Sequence, residues 1–508
     1  MAGSAAPPMA AQVARGSIWL MINTAAGRLA SLGAQIVLAW FLTKSDFGVF
    51  ATASSAAIFA TFLRDGGVRD LLIQRQGAFR ELLGPMFWLA GAMNFVSGLL
   101  VTAIGAGLAL ATSNPVYFWM LLLIGIAVPL NTLPSILSVK LSIELRFADL
   151  ARVQIAAAAV RFGGSIALAM AGFGPLSFVA PLPLVAVVEL LLFRKFVKER
   201  PWREPARTDQ WWPLLGQSKW ILIGTLGAAL VNMGNYSVVR LFVKEDVVGV
   251  YFFAHQIVAQ VGILVAANMN QVLFAAFAKI NDDDRLRRGV ARALRQLMFL
   301  AVPTSLALIP VFPGLEEWMW GERWRGAVRT VLIIAAVYPM TVINAVPYAA
   351  LQAAGRFRAW AILLIVLGVA ILLAGMAGAA IGRTPEWIGF ASCTTFAIGC
   401  VLMAWLALRP LRLGLADILK NTVPVYAVGL VAALLAWYVE GLLAQQSSMQ
   451  HGVGALARAV IGGGVFAAGF GLLALVLLRS HVRETVQVLP ARLRSITERL
   501  PLIRGLAA

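Results

Sequence analysis

The stretch Phe41-Leu-Thr-Lys-Ser-Asp-Phe-Gly-Val-Phe50 returns as Phe242-Val-Lys-Glu-Asp-Val-Val-Gly-Val-Tyr251, 201 residues later. Ser17-Ile-Trp19 returns as Ser218-Lys-Trp220 at the same offset, so Trp19 corresponds to Trp220 and Gly48 to Gly249. A second match runs at 210 residues: Pro129, Leu141 and Arg146-Phe147 answer to Pro339, Leu351 and Arg356-Phe357. The nine extra positions imply insertions in the second copy. A chain that repeats itself over about 200 residues is built from two related units, and that decides how the rest is read.

Outside these matches the sequence is a series of apolar runs. Hydrophobic residues make up 60% of the chain and charged residues 13%, where a soluble protein carries about 25% charged residues. Fourteen runs are long enough to cross a hydrocarbon layer of ~30 Å: 17–41, 46–63, 82–110, 115–137, 153–171, 176–193, 218–243, 247–275, 293–312, 327–351, 359–381, 387–408, 422–440 and 455–478. The sixth and tenth are interrupted by Pro181, Pro183, Pro339 and Pro347. The first is too long for a signal h-region and is expected to remain as a helix. A soluble enzyme and a soluble nucleic-acid binder are excluded, so no nucleic-acid partner is expected.

The charge distribution tests the count. Of the 42 Lys and Arg residues, 32 fall on, or at the run ends beside, the two termini and the even-numbered connections, 8 likewise at the odd-numbered ones, and two, Arg28 and Arg161, deep inside runs. Basic residues gather on cytoplasmic loops, so both termini are expected in the cytoplasm. The formal net charge of +19 is then topology and attraction to anionic membrane lipids.

The expected architecture is an all-α polytopic membrane protein of 14 transmembrane helices. It has two parallel six-helix repeats plus two C-terminal helices. Residues 1–16 form a cytoplasmic N-terminus, 17–198 the first lobe, 199–217 a polar linker, 218–408 the second lobe, 409–478 the two additional helices, and 479–508 a basic tail lying on the membrane. Six is even, so both repeats start on one side, and a substrate site is expected between them near the midplane. Cys393 and Cys400 are the only cysteines and lie about 10 Å apart along one helix, too far for a bridge. No metal-ligand spacing occurs, and no cofactor is expected.

Polar residues fall in stripes. The first run carries Thr24, Arg28, Ser31 and Gln35 at steps of four, three and four, with Asn23 beside them; such steps share one helix face. Its repeat partner carries Thr225, Asn232, Tyr236 and Arg240, flanked by Asn235. The eighth run holds His255, Gln256 and Gln260. A wet space bounded by these helices is the economical reading, with Arg28, Asn23, Ser31, Gln35, Asn232, Asn235, Tyr236, His255 and Gln256 as candidate substrate contacts. Each of them is otherwise a helix residue bonded to its neighbours. Arg28 lies ~16 Å into its run, where a charge costs at least ~2.5–3.5 kcal/mol unless it meets water or a partner. Arg161 and Glu189, at similar depth on neighbouring antiparallel runs, are expected to form a structural ion pair. No catalytic residue is singled out: Glu316, Glu317 and Glu322 read better as an amphipathic loop than as acid/base groups.

With Phe47-Gly48, the segment Arg64-Asp-Gly-Gly-Val-Arg-Asp-Leu-Leu-Ile-Gln-Arg75, Gly321-Glu-Arg-Trp324 and Ala354-Gly-Arg-Phe357, the chain resembles bacterial Wzx-type polysaccharide flippases of the multidrug/oligosaccharidyl-lipid/polysaccharide exporter superfamily over about residues 10–480. The resemblance implies two six-helix lobes around a central cavity. It also implies movement of a polyprenyl-pyrophosphate-linked oligosaccharide from the inner to the outer leaflet of the bacterial inner membrane, alongside a polysaccharide polymerase and export machinery. It carries over no site residue. The rival readings are a multidrug cation antiporter, a lipid II flippase, and a membrane-embedded polymerase or ligase. The identity of the glycan and the energy source stay open.

Overall fold

The computed structural model describes residues 27–64, 71–72, 75–266, 282–353, 356–446 and 449–488, with single positions 273, 277 and 280. All secondary structure among the described residues is helical. In chain order the α-helices are α1 (27–41), α2 (Lys44–Thr61), α3 (Phe79–Thr112), α4 (Val116–Leu130), α5 (Thr132–Ile143), α6 (Phe147–Met170), α7 (Pro181–Phe196), α8 (Trp211–Met233), α9 (Asn235–Val239) and α10 (Glu245–Ala266). They continue as α11 (Asp283–Leu306), α12 (Leu308–Trp320), α13 (Arg325–Val337), α14 (Ala345–Ala353), α15 (Phe357–Gly382), α16 (Pro385–Leu408), α17 (Leu415–Ala444), α18 (Val453–Leu477) and α19 (Arg479–Val488).

Nine helical segments among the described residues are long and apolar enough to cross a membrane, or eleven if each of two bent pairs is one span. The molecule is therefore an all-α, multi-pass membrane protein, and the described residues hold eleven of the 14 expected spans at most. The first, second and eighth expected spans are missing from the eleven. Only 27–41 of the first is described, and α2 is rich in Ala, Ser and Thr rather than Leu and Ile. Prolines explain two further features. Pro181 occupies the first position of α7, where a missing N–H costs nothing, so the sixth span starts there instead of breaking. Around Pro339 the tenth span gives way to a 3-10 turn, Tyr338–Asn344.

Two compact units are present: residues 1–249 with 364–369, and 250–363 with 370–508. In the first, the span formed by α4 and α5 bends by 44° at Asn131. Pro129 cannot donate to the helix ladder there, and freeing a backbone bond is how proline bends a helix. The segment 199–210 is docked rather than loose. Trp88 Nε1 donates to Glu204 O at 3.1 Å, Arg194 Nη1 to Glu199 O at 3.2 Å, and Lys140 Nζ meets Glu199 Oε1 at 3.1 Å.

The repeated stretch has a physical role in this unit. Thr43 and Asp46 close a capping box that starts α2. One turn on, a Cβ placed on Gly48 would strike the carbonyl of Glu245, and one placed on Gly249 would strike the carbonyl of Lys44. Lys44 and Glu245 are themselves 201 residues apart, so repeat-related positions meet reciprocally and only hydrogen fits at either glycine. Glu245 then collects three donors: Ser45 Oγ at 3.1 Å, Tyr117 Oη at 3.0 Å and Arg240 Nη2 at 3.3 Å.

In the second unit, Phe253 stacks on the fully buried Trp324 with ring centroids 4.0 Å apart. The pair α17–α18 packs on α12. The start of the expected basic tail is the helix α19, tied to α11 by Arg295 and Glu484 at 3.2 Å; residues 489–508, like 1–26, lie outside the described residues.

Gly48→Ala and Gly249→Ala are each expected to cost ~1–3 kcal/mol, the usual range for forced overpacking. Gly33→Ala, with nothing within 4 Å, is expected to be neutral. Denaturant unfolding in detergent measures all three. Burial pushes the Glu199 carboxyl up, but the Lys140 ammonium outweighs it and holds the group below its ordinary value of 4.5. A depressed carboxyl stabilises the fold above its unfolded value and loses that contribution as pH falls through the folded one. Glu199→Gln is thus expected to cost ~0.2–1 kcal/mol at pH 7, a cost that shrinks as the pH falls below 4.5, read from the same unfolding curves.

Candidate functional site

The bend in the first unit opens a polar cavity. At the bend Asn131 keeps its backbone in the ladder, its N–H donating to Ala127 O at 3.1 Å, while its side chain donates Nδ2 to Glu189 Oε2 at 3.0 Å. A cavity of about 420 Å³ lies here, lined by Thr61, Arg64, Asn131, Gln154, Arg161 and Glu189 among others. A second, of about 640 Å³, is lined by Arg28, Ser31, Gln154, Arg161, Phe162 and Glu189. Gln154, Arg161, Val185 and Glu189 belong to both. The α6–α7 hairpin is therefore a shared wall, with α1 on one side and the α4–α5 bend on the other.

The electrostatics are lopsided. Three guanidiniums, Arg28, Arg64 and Arg161, line these cavities with one carboxylate, Glu189. Arginine's planar fork suits a phosphate oxygen pair, and the amides of Gln154 and Asn131 with the hydroxyls of Ser31 and Thr61 add donors and acceptors of the kind that bind sugar hydroxyls. Such a lining is suited to an anion carrying a polar group and ill suited to a bare cation.

Of the residues expected to contact substrate, Arg28 and Ser31 face the larger cavity. Gln35, further along α1, is buried, and its Nε2 has no hydrogen-bond partner among the described residues. Asn23 lies outside the described residues. Asn232, exposed on α8, donates to the Ala228 carbonyl of its own helix at 2.7 Å. Asn235 and Tyr236 are buried in the short α9, beside the point where Ser55 Oγ donates to Gly234 O at 3.1 Å. His255 and Gln256 sit half-buried on α10 in the second unit, with the His255 ring 6.4 Å from those of Tyr251 and Tyr338. Within the first unit the structure brings together Arg28, Ser31, Arg161 and Glu189, and the α8–α9 residues do not line these cavities.

Arg161 and Glu189, expected to form an ion pair, line the same cavities and attract one another there. Glu189 Oε2 also accepts from Asn131, and the Arg161 guanidinium lies 5.7 Å from the Phe162 ring centre. Sequence reading missed Arg64 and Asn131 as lining residues. Arg64 was absorbed into the basic loops, but an amide set between Pro129 and Pro134 was a usable sign of a break with a polar duty.

A helical, multi-pass fold with a cationic polar cavity defines a membrane transporter class. The family model for polysaccharide biosynthesis proteins matches residues 37–329, more than half of the chain, and the protein belongs to that family. Teichuronic acid biosynthesis protein TuaB of Bacillus subtilis is 23% identical over 84% of this chain and 89% of its own length. Lipopolysaccharide biosynthesis protein WzxC of Escherichia coli is 23% identical over 63% of this chain and 66% of its own. Among solved structures, the lipid II flippase MurJ in an inward closed conformation superposes with a TM-score of 0.67 at 14% identity, covering 90% of this chain and 99% of that one. A multidrug resistance transporter of the MATE family superposes at 0.51 with 18% identity, covering 78% and 96%. The fold is thus shared with transporters.

Arg28→Ala is expected to abolish transport while the protein inserts normally, and Arg28→Lys to retain part of it, since a lysine keeps the charge and loses the fork. Transport assays on both variants at matched membrane levels decide the point; wild-type activity in both removes Arg28 from the site.

Proposed function

We propose that this protein is a flippase that carries polyprenyl-pyrophosphate-linked glycan units from the inner to the outer leaflet of the bacterial inner membrane. The observation that carries this reading is the excess of guanidinium over carboxylate in the cavity of the first unit. A pyrophosphate diester crossing the bilayer needs positive charge in a polar path, and its sugars need hydrogen-bond groups. Arg28, Arg64 and Arg161 are proposed to supply the first, and Ser31, Asn131 and Gln154 the second, while the polyprenyl tail stays in lipid. Asn23, Gln35, Asn232, Asn235, Tyr236, His255 and Gln256 remain proposed contacts only for a conformation in which they face the same path.

The surplus of basic residues on the termini and even-numbered connections supports cytoplasmic ends. With that orientation, the Glu245 contacts lie toward the outer face and the cavity toward the cytoplasm, from which the glycan carrier is loaded. Two six-helix lobes with an added helix pair are the reading that best joins the sequence repeat to the transporter fold. The names of the polysaccharide relatives favour a surface or exopolysaccharide unit as cargo, delivered to a polymerase and export machinery. A cation antiporter of the same fold would be expected to expose carboxylates in this cavity, and here the one carboxylate is engaged by Asn131.

Loss of the gene is expected to leave lipid-linked single units on the inner leaflet, protected from an impermeant lectin in spheroplasts. Loss of a polymerase would leave the same units on the outer leaflet, open to the lectin. Labelling by the lectin at the level of a polymerase-deficient strain would defeat the flippase reading.

A further inference from the structure

The second unit buries a group of charges that the proposed glycan path does not use. Glu317 near the end of α12, Glu440 near the end of α17 and Arg458 in the first turns of α18 converge. Glu440 is 4% exposed, Arg458 5% and the neighbouring Glu316 2%. Arg458 Nη2 is hydrogen-bonded to Glu317 Oε2, and His451 Nδ1 lies 2.9 Å from Glu317 Oε1. Glu316 accepts the backbone N–H of Trp324 at 2.7 Å. Both Glu317 oxygens and one of Glu316 are thus engaged.

Glu440 is not served in the same way. Its Oε1 lies 3.6 Å from Arg458 Nη1, beyond hydrogen-bond reach, and accepts no hydrogen bond among the described residues. Arg458 Nε, facing the same interior, likewise has no acceptor among them. An orphaned acceptor and an orphaned donor in a buried cluster are expensive if both acids are ionised, because Glu317 and Glu440 then share one guanidinium. Were Glu440 ionised and paired, the gap of 3.6 Å would be expected to close. A proton on Glu440 removes one surplus charge and accounts for the long contact.

We propose that Glu440 holds an exchangeable proton, making the Glu317–Arg458–Glu440 cluster a proton-binding site on the α12–α17–α18 packing surface. The groups facing Glu440 are Arg458 from α18 and Glu317 from α12. His451, in the connection before α18 and 79% exposed at its side chain, is the cluster's edge toward water; Glu322, beyond α12, is engaged by Arg325 at 3.1 Å. When the proton leaves Glu440 for water, the carboxylate left behind competes with Glu317 for the one guanidinium. Arg458 is then drawn toward α17 and its hold on α12 weakens. The attachment of the α17–α18 pair to α12 is in this way set by protonation, independently of what the first unit carries.

The test is infrared spectroscopy of the purified full-length protein in detergent, where a protonated carboxyl shows a carbonyl stretch that a carboxylate lacks. In the wild type at pH 7 this band is expected, and it is expected to vanish as the pH is raised. Glu440→Gln is expected to remove the band while keeping the wild-type melting temperature, since glutamine copies the neutral acid. Glu317→Gln is expected to lower the melting temperature. The wild-type titration needs no variant, so a misfolding substitution does not void the test. The proposal fails if the wild type shows no carboxyl band at pH 7, if the band survives in a folded Glu440→Gln protein, or if Glu440→Gln loses as much stability as Glu317→Gln. It also fails if sodium at constant ionic strength raises the wild-type melting temperature and Glu440→Gln abolishes that rise, which would mark a metal-cation site.

Discussion

The hydrogen bond from Asn131 to Glu189 is the interaction on which the polar interior of the first unit depends. A carboxylate placed within an apolar layer has to be satisfied locally. Here a satisfying group is the side-chain amide of Asn131, at the bend between α4 and α5. With Glu189 engaged by a neutral partner, Arg161 is left facing open space on both sides of the α6–α7 wall. Had the two charges closed on one another, the net charge of the lining would be the same, but the Arg161 fork would be committed to Glu189. Three guanidiniums against a single acid make the lining net cationic, and the amide leaves Arg161 open to the cavities.

Much of this was legible in the sequence. Helical class and membrane residence follow from 60% hydrophobic and 13% charged residues, since no soluble surface can be covered with so little charge. The matched stretch around Gly48 and Gly249 could be read from the sequence, and each of these glycines meets a backbone carbonyl that leaves no room for a Cβ. The number of spans was harder. Residue hydropathy does not separate a weakly apolar helix such as α2 from one exposed to lipid, because helix–helix packing rather than transfer energy decides its place.

The site was legible in part, and the failures share a cause. Stripe reasoning treats each helix as straight and each polar side chain as facing one common space. Arg28 and Ser31 obey it. Asn232 does not, since its amide turns back onto the Ala228 carbonyl, and Asn235 and Tyr236 fall beyond a break at Gly234 that starts a new short helix. Breaks reset the angular phase, and spacing alone cannot report the new one. Arg64 was hidden for a different reason: one guanidinium can serve a topology signal and a cavity at once.

The reciprocal fit at Gly48 and Gly249 carries an evolutionary corollary. What either glycine touches is a peptide carbonyl, not a side chain, so no compensating change in the opposite copy makes room for a bulkier residue. At this junction the two matched stretches share one obligation, and neither escapes it without the other's backbone moving first.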